Sequence, residues 1–300
     1  MTPSANVAAS VRQRLLDRAR ADKRPFNELL QYYAMERFLY RLSKSFFSDR
    51  FILKGALLLR AWDAPEFRPT MDIDMLGKTS NEEADILSLI RNILIVPVEE
   101  DGLVFDSGSL QSERITEDAD YEGIRVRFRG VLDTARIVMQ IDIGFGDIVY
   151  PAPEEAVLPT MLEFPAPKLL CYSRESAIAE KFEAMIKLGF LNSRMKDFYD
   201  IWLLSRGFDF TGPELAEAIR LTFEQRKTAL PVKIESFSEE FVNEKQVQWA
   251  AFHKKLNQEH IPMELQEVVK HLDKFLTPIV SKLTTGQDTV NDWIAPGPWK

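Results

Sequence analysis

A chain of 300 residues, 45% hydrophobic and 28% charged, has the make-up of an ordinary soluble globular protein, long enough for two lobes and a sizeable core. Its net charge of -8 supplies no global field for nucleic acid, so any such contact must rest on a local basic patch. A single cysteine, Cys171, excludes an internal disulfide framework, and three histidines without Cys/His spacing argue against zinc, which leaves carboxylates to carry any metal chemistry.

No basic flank followed by an apolar signal core opens the sequence, and no apolar run approaches the roughly 20 residues that span a bilayer, so a cytoplasmic protein is expected. Asn6 to Ala21 has the spacing of an amphipathic helix, with Val7, Ala8, Val11, Leu15 and Leu16 on its apolar side. A second helix is expected from Pro25 to Lys44, the proline at its start, with Leu29, Leu30, Tyr33, Met35, Phe38, Leu39 and Leu42 buried. Arg37 and Arg41, one turn apart on it, read as a solvated face in preference to a phosphate contact.

Phe51 to Leu59 is an apolar run broken by Lys54 and Gly55, which suggests a turn into a short helix whose first amides face an anion. Met71 to Leu76 then alternates apolar and acidic. As a strand it sends Met71, Ile73 and Met75 to one face and Asp72 and Asp74 to the other. Two carboxylates about 7 Å apart along a strand repel, and a hard divalent cation such as Mg2+ is the usual compensation. The plainer alternative is a wet strand face. A phosphate-cradling turn and helix followed by a strand with two aspartates is nonetheless the outline of a nucleotidyltransferase site.

Asn81 to Leu94 reads as a helix capped by Asn81. Short extended segments follow at Leu103 to Phe105, Ser112 to Thr116 and Gly123 to Gly130. In the last, Arg125, Arg127 and Arg129 share one face, read as exposed charges that discourage edge pairing, with triphosphate or RNA contact as the alternative. Ala135 to Phe145 is strongly β-prone, and Asp142 at its centre would be hard to bury unpaired. In polymerase-like nucleotidyltransferase folds a third carboxylate on a neighbouring strand completes the metal site. Asp142 fits that role, while its rival Asp147, just past Gly146, is assigned to a turn.

Tyr150 to Pro167 holds five prolines, cannot be a helix, and is taken as the surface crossing between lobes, which places the division at residues 1–165 and 166–300. Arg174 to Leu188 is a helix with Ser173 or Ser176 as cap, and Lys181 beside its apolar stripe. Asp197 and Asp200 share a helix face, where a cap and a first-turn acid are the plain reading. Helices are expected over Gly212 to Lys227, Phe237 to Leu256 and Met263 to Leu283, with Trp249 and Phe252 in the core. Thr284 to Lys300 is a polar tail, loosely held unless Trp293 or Trp299 docks.

Four blocks carry a family resemblance. Lys54, Gly55, Arg68, Thr70, Asp72 and Asp74 resemble the first motif of the AbiEii/AbiGii toxins, nucleotidyltransferase-fold proteins of bacterial toxin–antitoxin and phage-defence operons. Ala56 stands where that motif has a second glycine or a serine. Ala179 to Ala184, with Lys181, is similar to the third motif, and Arg194, Lys196, Asp197 and Asp200 to the fourth. The resemblance implies an α+β protein: a nucleotidyltransferase-fold core lobe, a mixed sheet with flanking helices, plus a C-terminal helical lobe that contributes to the active-site cleft. It implies Mg2+ or Mn2+ on Asp72, Asp74 and Asp142, and nucleotide on Lys54, Gly55, Ala56, Arg68, Thr70, Lys181, Arg194 and Lys196. Lys181, Asp197 and Asp200 would join the catalytic set. The reaction implied is transfer of a nucleoside monophosphate from an NTP to an acceptor, with a tRNA 3′ end and growth arrest as the expectation and an AbiEi-like repressor as cognate antitoxin. A small-molecule or protein acceptor, or a non-catalytic nucleotide-binding protein, are the alternatives.

Overall fold

A computed structural model describes residues 5–64, 68–116, 122–256, 258–286 and 291–300. The chain divides into two compact units, the first made of Met1–Asp63, Pro69–Gly146 and Glu154–Cys171, the second of Ala64–Arg68, Asp147–Pro153 and Tyr172–Lys300. In chain order the first unit contains α1 (Ala5–Ala21), α2 (Phe26–Lys44), β1 (Phe51–Lys54), α3 (Leu58–Ala61), β2 (Ile73–Gly77), α4 (Glu83–Leu94), β3 (Leu103–Thr116), β4 (Glu122–Leu132), β5 (Ala135–Phe145), β6 (Glu154–Val157) and β7 (Lys168–Cys171). The second contains α5 (Arg174–Leu188), α6 (Met195–Gly207), β8 (Phe210–Thr211), α7 (Gly212–Gln225), α8 (Glu239–Leu256), α9 (Leu265–Thr285) and β9 (Asp292–Trp293).

All strands of the first unit join one sheet in the order β3-β4-β5-β2-β1-β7-β6. β2 runs parallel to β5 and β1 parallel to β7, and every other pairing is antiparallel, so the sheet is mixed and the architecture is α+β, as expected. Alternation builds its core, broken on β5 only where Asp142 is buried between Ile141 and Ile143. Ile124, Val126 and Phe128 of β4 and Ile137, Met139, Ile141 and Ile143 of β5 are buried, while the intervening Arg125, Arg127, Arg129, Val138 and Gln140 are less so. α2 covers the apolar face, where Phe38 meets Phe128 and Phe105 at ring distances of 5.7 and 6.4 Å.

α2 is buried all the way round from Leu29 to Leu42, so its polar residues must be partnered inside the protein. This corrects the solvated face expected for Arg37 and Arg41, which are 1% and 6% exposed. Arg41 forks onto Asp101 at 2.7 and 3.1 Å, and Arg37 donates to the Pro165 carbonyl at 2.6 Å. Both guanidiniums also lie over rings, Arg37 over Tyr40 and Phe164, Arg41 over Phe105.

Glu36 belongs to the same interior, its Oε2 accepting from the Met161 amide at 2.5 Å. Burial pushes its carboxyl up to about 7 against the opposing charge of Arg37. A raised folded-state pKa contributes stability that is present below the unfolded value of 4.5 and lost as pH rises through about 7. Glu36→Gln keeps an acceptor for Met161 and removes the titration. In urea unfolding at pH 5 and pH 8 the variant should therefore gain about 3 kcal/mol on the wild type at the higher pH. Equal pH dependence in the two proteins would refute this account.

Other boundaries move for local reasons. β3 is one strand where two short segments were expected, because a register shift between Asp106 and Gln111 hides its alternation. α4 is flanked by Glu82 without a side-chain cap, so Asn81 caps nothing. The proline-rich stretch is not a helix, but it holds β6, which pairs with β7 at the sheet edge, a place that tolerates neighbouring prolines. The division drawn at 165/166 thus falls inside a hairpin segment of the first unit.

The second unit is a helical assembly around Phe182, Phe198, Phe223, Phe241 and Trp249. Ser173 caps α5, accepting from the Ser176 amide. Asp147 receives two bonds from Arg226, at 3.2 and 2.9 Å, beside Glu183. The described tail docks. Trp293 is 1% exposed and donates to the Ser205 carbonyl, Trp299 donates to the Phe275 carbonyl and stacks on its ring, and β9 pairs with β8. Among the described residues no helix is long and apolar enough to cross a membrane.

Candidate active site

The first unit gathers three carboxylates at the parallel junction of its sheet. Asp74 on β2 lies in register beside Asp142 on β5, and Asp72 enters from the bend just before β2. One oxygen from each of Asp72, Asp74 and Asp142 lies within 4.8 Å of the others. Ile73 and Met75 are buried as the alternation requires, whereas Met71, ahead of the strand, is 52% exposed and not part of that face.

The register extends the row. Lys54 of β1 is opposite Asp74, and Arg125 of β4 is opposite Asp142, so side chains on four adjacent strands share one face. Arg125 Nε donates to Asp142 Oδ1 and its Nη2 to Oδ2, each at 2.8 Å, and Gln140 Nε2 adds a contact to Oδ2 at 3.3 Å. Asp142 is 8% exposed, and this fork satisfies the requirement that it not be buried unpaired. Asp72 is held separately. Thr70 Oγ1 donates to its Oδ1 at 2.5 Å, and the Thr70 amide donates to the Tyr32 hydroxyl oxygen at 3.1 Å.

Gly55 carries the turn that was expected before the aspartate strand. Its φ is +76°, and a Cβ there would run into the Asp74 carboxylate, so both backbone and space demand glycine. A single 3-10 turn at Gly55–Leu57 leads into the four residues of α3. Such a short helix offers free amides but little macrodipole. Ala56 is 5% exposed, its methyl turned into the protein, which leaves only its backbone for a ligand.

The remaining motif residues assemble in the second unit, around two buried aspartates. Arg68 forks onto Asp200 at 2.8 and 3.0 Å, and Lys181 Nζ reaches Asp200 Oδ2 at 2.8 Å and Asp197 Oδ1 at 3.4 Å. Arg194 Nε lies 2.8 Å from Asp197 Oδ2. Asp197, in the first turn of α6, and Asp200, one turn on, are 0% and 1% exposed, so both carboxylates are enclosed among these cations. Burial opposes ionisation of Asp200, but Arg68 and Lys181 outweigh it and lower its pKa to about 2. Burial likewise opposes the Lys181 charge, and Asp200 and Asp197 reverse the effect and raise its pKa. Lys196 is exposed.

An all-oxygen set of three carboxylates suits a hard divalent cation, which takes oxygen ligands in preference to nitrogen or sulfur. Asp142 can join it because a carboxylate has about four lone-pair sites and the Arg125 fork uses one on each oxygen. The partner of Asp142 was not foreseen. Its signal was the β4–β5 hairpin, whose two-residue turn at Asp133 and Thr134 sets Arg125 opposite Asp142.

The family model described as nucleotidyl transferase AbiEii toxin, type IV toxin–antitoxin system, matches residues 37–277. No curated protein sequence matches the chain. Two crystal structures from Helicobacter pylori are similar in backbone, one described as a candidate nucleotidyltransferase and one as JHP933, each with 14% identity and a TM-score of 0.49. The alignments cover 87% and 86% of this chain and 98% and 94% of those.

Proposed function

The chain belongs to the nucleotidyl transferase AbiEii toxin family, and from that membership we propose that it moves a nucleoside monophosphate from an NTP to the 3′ end of a tRNA, releasing pyrophosphate and arresting growth. The observation that carries this reading is the convergence of Asp72, Asp74 and Asp142 on one sheet face beside the Gly55 turn. Those carboxylates would hold Mg2+ or Mn2+, which when bound neutralises phosphate charge and polarises the reacting phosphoryl group.

The protein residues have separable tasks. Thr70 fixes the rotamer of Asp72, and Gly55 lets Asp74 lie against the turn. In the first unit, Lys54 and the Gly55 and Ala56 amides are the groups assigned to nucleotide phosphates. In the second unit, Lys181 stays protonated at neutral pH and serves as a fixed cation for phosphate, not as a base. Asp197 and Asp200 hold that ammonium, together with Arg68 and Arg194, and act through it. Lys196, which is exposed, is a further cation for the nucleotide. The cellular reading is a cytoplasmic toxin of a phage-defence system, silenced by a repressor-type antitoxin.

Incubation with each labelled NTP, Mg2+ and total RNA tests the reaction. Label on RNA with release of pyrophosphate is the expected result. Label on protein or small molecules and never on RNA would replace the tRNA acceptor, and nucleotide binding without pyrophosphate would make the protein a non-catalytic binder.

A further inference from the structure

Three carboxylates with oxygens within 4.8 Å of one another repel unless a positive charge stands near them. Arg125 supplies such a charge at Asp142. Arg125 contacts both oxygens of Asp142, whose side chain is 10% exposed, through two parallel bonds of 2.8 Å. That pairing is fixed by the sheet, since Arg125 is opposite Asp142 in the antiparallel β4–β5 pair and Asp142 is beside Asp74 in the parallel β2–β5 pair. Arg125 is braced in turn by Glu113 on β3, its register partner, 3.7 Å from Nη1, and Glu113 also binds Arg127 at 3.0 Å.

We propose that Arg125 is a built-in counter-ion of the carboxylate triad and the positioning residue of Asp142, and that it helps set how tightly the site takes a divalent cation. The inference rests on the metal-dependent reading of Asp72, Asp74 and Asp142. A fixed guanidinium lowers the energy of the empty triad by offsetting repulsion. It also repels an incoming dication, and the second charge of that ion doubles the Coulomb term. Both effects weaken metal binding. The fork does a separate job, holding both oxygens of Asp142 in one plane, which a point-charge ammonium cannot do. Charge and geometry can therefore be separated by two substitutions.

Arg125→Gln removes the charge, and Arg125→Lys keeps it while losing the fork. Mn2+ alone, without nucleotide, is titrated into each protein and free Mn2+ is followed by electron paramagnetic resonance. Arg125→Gln should bind Mn2+ on the order of tenfold more tightly than the wild type. Its metal-free melting temperature should fall, and saturating Mn2+ should raise it by more than in the wild type. Arg125→Lys should bind Mn2+ within about twofold of wild type, yet transfer nucleotide at least about tenfold more slowly at saturating metal. Asp142→Asn is the control and should weaken Mn2+ binding. If Asp142→Asn leaves Mn2+ affinity unchanged, the metal-site reading itself fails. If Asp142→Asn weakens binding while Arg125→Gln binds no more tightly than wild type, the role of Arg125 alone is overturned. Arg125→Lys retains the charge and serves should the glutamine variant not fold, because Mn2+ binding weakened well beyond twofold in it would equally refute a charge-set affinity.

Discussion

Asp72→Asn is expected to lower nucleotide transfer by on the order of 10^3-fold or more without lowering the metal-free melting temperature. The substitution is nearly isosteric, and its amide oxygen can still accept from Thr70 Oγ1, so the contact that holds the side chain survives. What disappears is one of three mutually repelling charges. In the metal-free protein that loss relieves strain, and in the proposed reaction it removes a cation ligand. The same substitution thus moves activity and stability in opposite directions, which a plain folding defect cannot do. Rate is read by pyrophosphate release at several metal concentrations, stability by melting with chelator present. A soluble Asp72→Asn protein with near wild-type transfer would remove Asp72 from the chemistry.

How far the sequence could be read differs between elements, and the reason is period. Where one face is apolar and the other polar, the pattern carries the answer: Ile137, Met139, Ile141 and Ile143 marked the inward face of β5 and left Asp142 outward beside Asp74. α2 defeats that logic because it is enclosed on all sides, so Arg37 and Arg41 looked like a solvated face while being partnered by Asp101 and a carbonyl. Partners far along the chain are invisible to local pattern, as with Arg68, bound to Asp200 from 132 positions away. The Arg125–Asp142 fork was closer to legible. An Asn-Gly or Asp-Gly turn would have announced the hairpin, but Asp133-Thr134 does not, although Asp133 does take the left-handed conformation with φ 53°. The docked tail was left open for a related reason, since only the fold supplies the Ser205 and Phe275 carbonyls that Trp293 and Trp299 bind.

Asp200→Ala is expected to cost about 3–5 kcal/mol of stability, because it leaves the Arg68 and Lys181 charges without the carboxylate they converge on. Asp200 is 1% exposed, and Lys181 would keep only Asp197 at 3.4 Å, itself shared with Arg194. By the same reasoning Lys181→Ala should destabilise the fold. The pH dependence gives an independent check. The Asp200 pKa is lowered from 3.8 to about 2, so its stabilisation is fully present above the unfolded value and lost as pH falls through about 2. That loss amounts to about 2 kcal/mol between pH 5 and pH 2, and it should be absent from Asp200→Asn. Urea unfolding of the wild type and Asp200→Asn at both pH values reads the difference directly. Parallel acid sensitivity in the two proteins would show that the cage around Asp200 does not hold it ionised.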